Sequence, residues 1–331
     1  MAIIPALSVV IPVYRSEEIL PQLIARLVKT LPTVASEFEI ILVNDGSPDR
    51  SWERIADLAR VEPAVRGVNL MRNYGQHNAL LAGIRRAKYP LTITMDDDLQ
   101  HPPEEIARLL EHMGDRYDVV YGVPEHDAHG LLRTVASQLT KLTLQKAMGA
   151  DTARRISAFR ALRTNLREAF DSYGGSFVSI DVLLTWATTR FAHITVRHDP
   201  RRHGVSGYSI WKLLAHAANM MTGFSVLPLQ IASIVGFVLT GFGTVVLAWV
   251  IGAYLVARGE TVPGFAFLAS IIAIFSGAQL FALGIIGEYL ARMHFRVMNR
   301  PSYVVREATS AIREARADAP LASAETELPA R

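Results

Sequence analysis

The stretch Leu91-Thr92-Ile93-Thr94-Met95-Asp96-Asp97-Asp98-Leu99-Gln100-His101-Pro102-Pro103 passes from an apolar run, Leu91–Met95, straight into three carboxylates, and a Pro-Pro pair then opens a new helix. Three like charges side by side repel unless a cation offsets them. Carboxylates beside an amide oxygen, here Gln100, suit a hard cation such as Mg2+ or Mn2+, and such ions commonly carry substrate phosphates with them. The same letters also describe a solvated acidic turn capping the helix from Pro103. Taken alone, the stretch does not separate the two readings.

Working outward, Leu7–Ile11, Glu39–Val43, Val65–Leu70, Leu91–Met95 and Asp118–Tyr121 read as strands. Between them Glu17–Leu31, Ser51–Ala59, His77–Ala87 and Pro103–Met113 read as helices, the first with an apolar side at Ile19, Leu23, Leu27 and Leu31. Strands that are apolar throughout and alternate with helices predict a parallel sheet covered on both faces. A polar signal follows each of the first four strands: Tyr14, Glu17 and Glu18; Asn44-Asp45-Gly46-Ser47; Met71-Arg72-Asn73-Tyr74-Gly75; and the Asp trio. Open α/β sheets bind ligands at the carboxyl ends of their strands. Asp-Gly-Ser alone is a turn signal and Arg72-Asn73 fits a surface loop. Four such signals in succession point instead to a nucleotide site with a metal. No G-x-G-x-x-G follows the first strand and no Walker lysine motif occurs, which disfavours dinucleotide enzymes and P-loop NTPases.

The 331 residues are half hydrophobic, with the apolar excess after residue 225, and the net charge is only +3. Bulk charge therefore gives no case for nucleic acid. The chain has no cysteine, which excludes disulfides, thiolate nucleophiles and Cys-based zinc sites. Met1–Val13 has no basic leader or cleavage site and reads as a buried strand rather than a signal peptide.

Further on, Leu131–Met148 reads as a helix, Ile156–Arg160 as a strand leading into a helix, Ile180–Thr189 as a helix and Ala192–His198 as a strand. His193 and His198 are expected as strand residues, and no His-Glu-x-x-His ties the ten histidines to a metal. Arg201-Arg202-His203-Gly204-Val205-Ser206-Gly207-Tyr208 is a basic, glycine-hinged loop. Its arginines can grip a phosphate bidentately, or simply collect at a membrane surface. Ile210–Thr222 is amphipathic and carries Trp211, which suits a bilayer interface. Leu229–Ala257 and Val262–Gly287 contain no charge, and each exceeds the roughly 20 residues that cross a bilayer. Lys212, Arg201 and Arg202 before the pair, and Arg292, Arg296 and Arg300 after it, place both termini and the α/β domain in the cytoplasm by the positive-inside rule. Glu288 and Arg292 are spaced as an i,i+4 ion pair.

These residues resemble a known family. Ser8–Tyr14, Val43–Ser47, Arg72–Gln76 and Asp96–Glu104 are similar to the family 2 glycosyltransferases. Arg202–Tyr208, Gly287–Arg292 and Arg300–Tyr303 extend the likeness to the polyprenyl-phosphate glycosyltransferases, relatives of dolichol-phosphate mannose synthase, and within them to the two-span type that includes the undecaprenyl-phosphate formamido-arabinose transferase. The resemblance implies a GT-A fold, Rossmann-like with a mostly parallel sheet. Asp45 would then hold the nucleotide base, and Asp97 or Asp96 the ribose side. Asp96, Asp98 and Gln100 would surround a Mg2+ or Mn2+ bridging the diphosphate. Pro12, Tyr14 and Glu18 would line the nucleotide pocket, with Ser47 and Asn73 on the same side, and Arg201, Arg202 and Arg160 would hold the acceptor phosphate.

Two departures stand out. Gly207 replaces the lysine of the family's Gly-x-Ser-Lys-Tyr loop, and Ala158 occupies a place where some relatives carry an Asp taken as a base. The implied reaction is an inverting transfer from a UDP-sugar to polyprenyl phosphate at the cytoplasmic membrane, by a multi-pass protein that is a homotetramer in related enzymes. A GDP-mannose-dependent synthase and a non-catalytic nucleotide-sugar scaffold are the alternatives. A processive polysaccharide synthase is disfavoured because no Gln-x-x-Arg-Trp occurs. The expected division is a catalytic domain at 1–208, an interfacial helix at 209–225, two spans within 226–293 and a partly disordered tail at 294–331.

Overall fold

The computed structural model describes residues 3–124, 156–175, 178–199, 227–256, 264–298 and 300–309. The chain divides into two compact units. The first unit contains β1 (Ile4–Val13), α1 (Leu20–Thr30), β2 (Ala35–Asn44), α2 (Ser51–Val61), β3 (Val65–Leu70), α3 (Gln76–Ile84), β4 (Leu91–Thr94), α4 (Ile106–Met113) and β5 (Val119–Pro124). It continues with β6 (Arg160–Arg163), α5 (Ile180–Ala187), β7 (Phe191–Val196) and β8 (Val305–Ala308). These strands form one eight-stranded sheet in the order β7-β5-β6-β4-β1-β2-β3-β8.

Side-chain alternation along β1 explains how both faces are covered. Leu7, Val9, Ile11 and Val13 enter one buried cluster with Leu23 and Leu27 of α1, Ile55 of α2, and Leu109 and Leu110 of α4. Val10 points the other way and, with Val43 of β2, meets α3 at Gly83. The strands β4, β1, β2 and β3 are adjacent and mutually parallel. Their carboxyl ends therefore share one edge, and the four polar loops meet there.

The sheet is mostly parallel rather than parallel throughout. β6 lies between β4 and β5 and runs antiparallel to both, and β8 runs antiparallel to β3. The strand expected over Ile156–Arg160 begins at Arg160. Residues 156–159 form the approach, held where Thr94 Oγ1 donates to the Ala158 carbonyl at 2.7 Å. A 3-10 turn, Thr164–Phe170, takes the place of the helix expected after it. Helix Pro103–Met113 opens as a 3-10 turn, Pro103–Glu105, before α4. The segment expected as a tail from residue 294 supplies β8. The expected helices at 131–148 and 209–225, and the basic loop with Arg201 and Arg202, lie outside the described residues.

The second unit holds α6 (Leu227–Val256) and α7 (Phe265–Val297), of 30 and 33 residues. They pack on each other as a hairpin, with Gly243 against the Phe275 ring. At 1.5 Å rise per residue, each is at least about 45 Å long. Leu229–Val246 and Ile274–Ala291 have mean hydropathies of 1.9 and 1.4, long and apolar enough to cross a membrane. Within this pair Phe237, Phe242, Trp249, Leu280 and Phe281 stand exposed.

Candidate active site

The edge formed by β4, β1, β2 and β3 brings together residues 14–18, 45–51, 71–76 and 95–101, and hydrogen bonds knit these loops to one another. Pro12 fits β1 because the strand's backbone groups alternate sides. The Val10 carbonyl accepts from Met95 N–H, toward β4, and the Val13 carbonyl from Asp45 N–H, toward β2. Pro12 is on the Val10 side, beyond the last residue of β4, where its missing N–H breaks no ladder bond. Tyr14 and Glu18 are exposed on the loop that follows, and the Arg15 guanidinium lies 5.5 Å from the Tyr14 ring centroid.

Of the three carboxylates, Asp97 turns back into the protein. Its Oδ2 accepts from the Ser16 hydroxyl and, at 3.3 Å, from Tyr14 N–H. Burial pushes its carboxyl up to about 6, the neighbouring Asp98 charge adds to that, and the two hydrogen bonds work against it. Asp96 Oδ1 accepts from Gln76 Nε2 at 2.6 Å, and Asp98 Oδ1 from Gln100 N–H at 3.1 Å. The turn is sharp, with Leu99 at φ 59°.

Asp45 is buried, and both its oxygens serve the next loop: Oδ1 accepts from Tyr74 N–H at 2.7 Å and Oδ2 from Gly75 N–H at 2.8 Å. Burial raises its pKa, against those two amides and the Arg72 charge. Gly46 beside it adopts φ 59°, and a Cβ there would lie 2.2 Å from the Arg72 carbonyl carbon. The two loops thus touch backbone to backbone, which only a glycine permits. Asn73 is exposed beyond them, while Arg72 folds over the Tyr74 ring at 4.2 Å.

Ser47 Oγ accepts from Arg15 N–H at 2.7 Å and donates to Asp49, whose Oδ1 also accepts from the Ser51 hydroxyl. Burial acts to raise the Asp49 carboxyl, but the Ser47 and Ser51 hydroxyls and the backbone amides of Glu17 and Ser51 outweigh it and hold the group below its ordinary value. Asp49 was missed in the sequence; its Oδ1 also accepts from Ser51 N–H at 3.2 Å, at the first residue of α2.

Arg160 does not join the loop edge as an open cation. Only 2 % exposed, it pairs with Asp181 Oδ1, which also accepts from the Tyr121 hydroxyl at 3.0 Å. Asp181 lies in the first turn of α5, and the burial of this trio holds the Tyr121 hydroxyl well above its ordinary value. A guanidinium committed to a buried carboxylate is costly to pull away. The guanidinium expected to grip an acceptor phosphate is thus paired with Asp181 in this structure, on β6 opposite Thr94, the last residue of β4.

His101 is buried against Phe159, with ring centroids 5.1 Å apart, and stands edge-on to His198 at 5.0 Å. His193 lies in β7 as expected, whereas His198 follows the strand's end. Burial, with the neighbouring His198, lowers His101 to about 4, and the Asp98 charge opposes this. The ring is neutral at physiological pH and packs as an aromatic.

A divalent cation fits this donor set. Asp96, Asp98 and the Gln100 side chain offer hard oxygen ligands, and no group of three or more His, Cys, Asp or Glu residues is gathered as a ready-made cage among the described residues. Mg2+ and Mn2+ held by one or two carboxylates complete their shells with substrate phosphates and water.

Residues 8–176 match the family described as glycosyl transferase family 2. The chain belongs to that family. It is a glycosyltransferase with a GT-A fold, a mixed but mostly parallel sheet flanked by helices. Over 313 residues it is 37% identical to the undecaprenyl-phosphate 4-deoxy-4-formamido-L-arabinose transferase of Aeromonas hydrophila, covering 93% of this chain and 96% of the relative. The protein of the same name from Pseudomonas paraeruginosa is 38% identical over 320 residues, 93% of each chain. A third, from Pectobacterium carotovorum, is 36% identical over 306 residues, 92% of this chain and 94% of the relative. The glucosyl-3-phosphoglycerate synthase of Mycobacterium tuberculosis, solved with Mn2+, UDP-glucose and phosphoglyceric acid, superposes on 66% of this glycosyltransferase and 78% of its own chain. Its identity is 14% and its TM-score 0.49, too distant a likeness to carry an argument.

Proposed function

We propose that this glycosyltransferase moves a sugar from a UDP-sugar to undecaprenyl phosphate at the cytoplasmic face of a membrane, with inversion at the anomeric carbon. The observation that carries the reading is the acidic turn Asp96–Asp98 standing at an edge shared with three polar loops. Such a concentration of carboxylates suits a cation that arrives with a diphosphate. The acceptor is inferred from the shared name of relatives matched over almost the whole chain, together with two helices whose length and exposed apolar side chains suit a lipid surrounding.

Asp45 fixes the Arg72–Gly75 loop and, with Pro12, Tyr14, Glu18, Ser47 and Asn73, forms the nucleotide side. Asp97, held by Ser16 and Tyr14, supports the ribose side. Asp96, Asp98 and Gln100 would hold Mg2+ or Mn2+, which when bound supplies Lewis-acid stabilisation of the departing diphosphate. Arg201 and Arg202 hold the acceptor phosphate. At neutral pH a phosphomonoester, with its second pKa about 6, is largely dianionic. Its oxygen attacks the anomeric carbon, the bond to the diphosphate oxygen breaks, and UDP carries the charge away. With the acceptor already deprotonated, Ala158 in place of a base is no obstacle.

The test uses the full chain in detergent with undecaprenyl phosphate and a panel of UDP- and GDP-sugars. Formation of a lipid-linked sugar from a UDP-sugar, lost in Asp98→Ala, is expected. Turnover with GDP-mannose alone, or full activity of Asp98→Ala, would overturn the reading.

A further inference from the structure

The short strand β8 makes a concentrated set of contacts with β3 and the loop that follows it. Met71 N–H donates to the Val304 carbonyl at 2.9 Å, and Arg306 Nη2 donates back to the Met71 carbonyl at 3.1 Å. Both polar backbone groups of Met71 are thereby held by β8 and the residue just before it. Beside them Asn69 Nδ2 donates to Glu307 Oε1 at 3.0 Å, and Asn69 Oδ1 accepts from Asn44 Nδ2 at 2.8 Å. Asn44 and Asn69 are buried, so this ladder runs across the carboxyl ends of β2 and β3 and finishes on β8.

The positions of these residues give the ladder its consequence. Asn44 immediately precedes Asp45, and Met71 immediately precedes Arg72. Farther out the same two loops are joined again, where the Asp45 carboxylate takes the Tyr74 and Gly75 amides. The two nucleotide-side loops thus form a closed frame, tied at the outer end by Asp45 and at the base by β8.

We infer that residues 304–307 are a latch that sets the geometry of the nucleotide loops, with Arg306 and Glu307 as positioning residues that touch no substrate. The inference rests on the proposed reading of these loops as the nucleotide side. A loop pre-set in its bound shape loses less freedom when the ligand arrives, so releasing the latch weakens binding without removing a ligand contact. The competing role, a strand that merely covers the edge of the sheet, predicts no selective effect on the loops.

The test compares the unaltered full-length protein in detergent with the double variant Arg306→Ala/Glu307→Ala and with the single variants Glu307→Ala and Glu307→Gln. UDP binding is measured by calorimetry in the presence of Mn2+, KM for the acceptor lipid by turnover, and amide hydrogen exchange by mass spectrometry. For the double variant UDP binding is expected to weaken about tenfold, as the loss of two modest hydrogen bonds allows. Exchange in peptides spanning 70–76 should rise by a similar factor, with β1 and β4 unchanged and acceptor KM unaltered. Glu307→Gln keeps the acceptor oxygen for Asn69 and should stay within about twofold of the unaltered protein, whereas Glu307→Ala should not. Unchanged exchange at 70–76, a uniform rise across the sheet, or a loop-specific rise with undiminished UDP affinity would each overturn the latch. If the unaltered protein binds no UDP, the proposed function fails, and the exchange measurement still decides whether β8 sets the loops.

Discussion

Asp97 and its neighbours share a sequence but not a chemistry. Asp96 and Asp98 face polar groups at the sheet edge, while Asp97 is drawn inward to Ser16 and Tyr14, and burial raises its pKa to about 6. The sign of its contribution follows from the proton count. Between the unfolded value near 3.8 and the folded value near 6, the folded protein holds the proton that the unfolded chain has lost. Stability from this group is therefore present at the acid end, falls as pH rises through that window, and is level above about 7. Asp97→Asn keeps an oxygen acceptor for Ser16 and carries no titratable group. In metal-free protein with a chelator present, melting curves should show the variant gaining on the unaltered protein between pH 4 and 7, with a constant difference above that. A difference that does not change with pH would show that Asp97 titrates as an ordinary carboxylate. Asp98→Ala, in contrast, should fold and insert normally and lose more than about a hundredfold in turnover, because the interaction it removes grows in the transition state.

Among the elements, those that sequence made legible are those whose pattern needs no partner. Val65–Leu70 is a strand end to end as read, β4 stops one residue short of the reading, and β1 and β2 contain the five-residue runs read for them within strands of 10 residues each, because continuous apolar runs can settle only inside a covered sheet. Their loops were legible for the same reason, since a strand's carboxyl end fixes where the polar residues after it must gather. β6, Arg-Ala-Leu-Arg, and β8, Val-Arg-Glu-Ala, carry no strand pattern of their own. Neighbouring strands impose that conformation on them, and four residues are too few to announce it. The Arg160–Asp181 pair was hidden likewise, because its partners are 21 residues apart on a strand and a separate helix. Gly46 tests the loop architecture directly. Its φ of 59° and the 2.2 Å approach of a Cβ to Arg72 leave no room for a side chain. Gly46→Ala should cost about 2–3 kcal/mol of stability, from left-handed strain and loop displacement together. It should also weaken UDP binding more than a comparably destabilising core substitution such as Ile55→Ala, as melting curves and calorimetry on the pair would reveal.

At the scale of the whole molecule, a family 2 catalytic sheet and a hairpin of membrane length occupy one chain, and the proposed reaction explains why both are there. A nucleotide sugar is water-soluble and a polyprenyl phosphate is confined to lipid, so an enzyme joining them works at the boundary and must grip each substrate with separate groups. The nucleotide side belongs to the loops after β1, β2, β3 and β4, whereas the proposed acceptor grip is Arg201 and Arg202. Separate grips predict separable kinetics. Arg202→Ala should raise the acceptor KM by about tenfold to a hundredfold, the range for losing a charge-assisted hydrogen bond to phosphate, and leave the nucleotide-sugar KM within about twofold. Chelation should act the other way, abolishing turnover at every acceptor concentration, with Mn2+ or Mg2+ restoring it. Initial rates measured over a grid of both substrates, in mixed micelles, decide the matter. Equal losses for the two substrates in Arg202→Ala would mean that the basic loop shapes the site as a whole, and the division of labour proposed here would have to be redrawn.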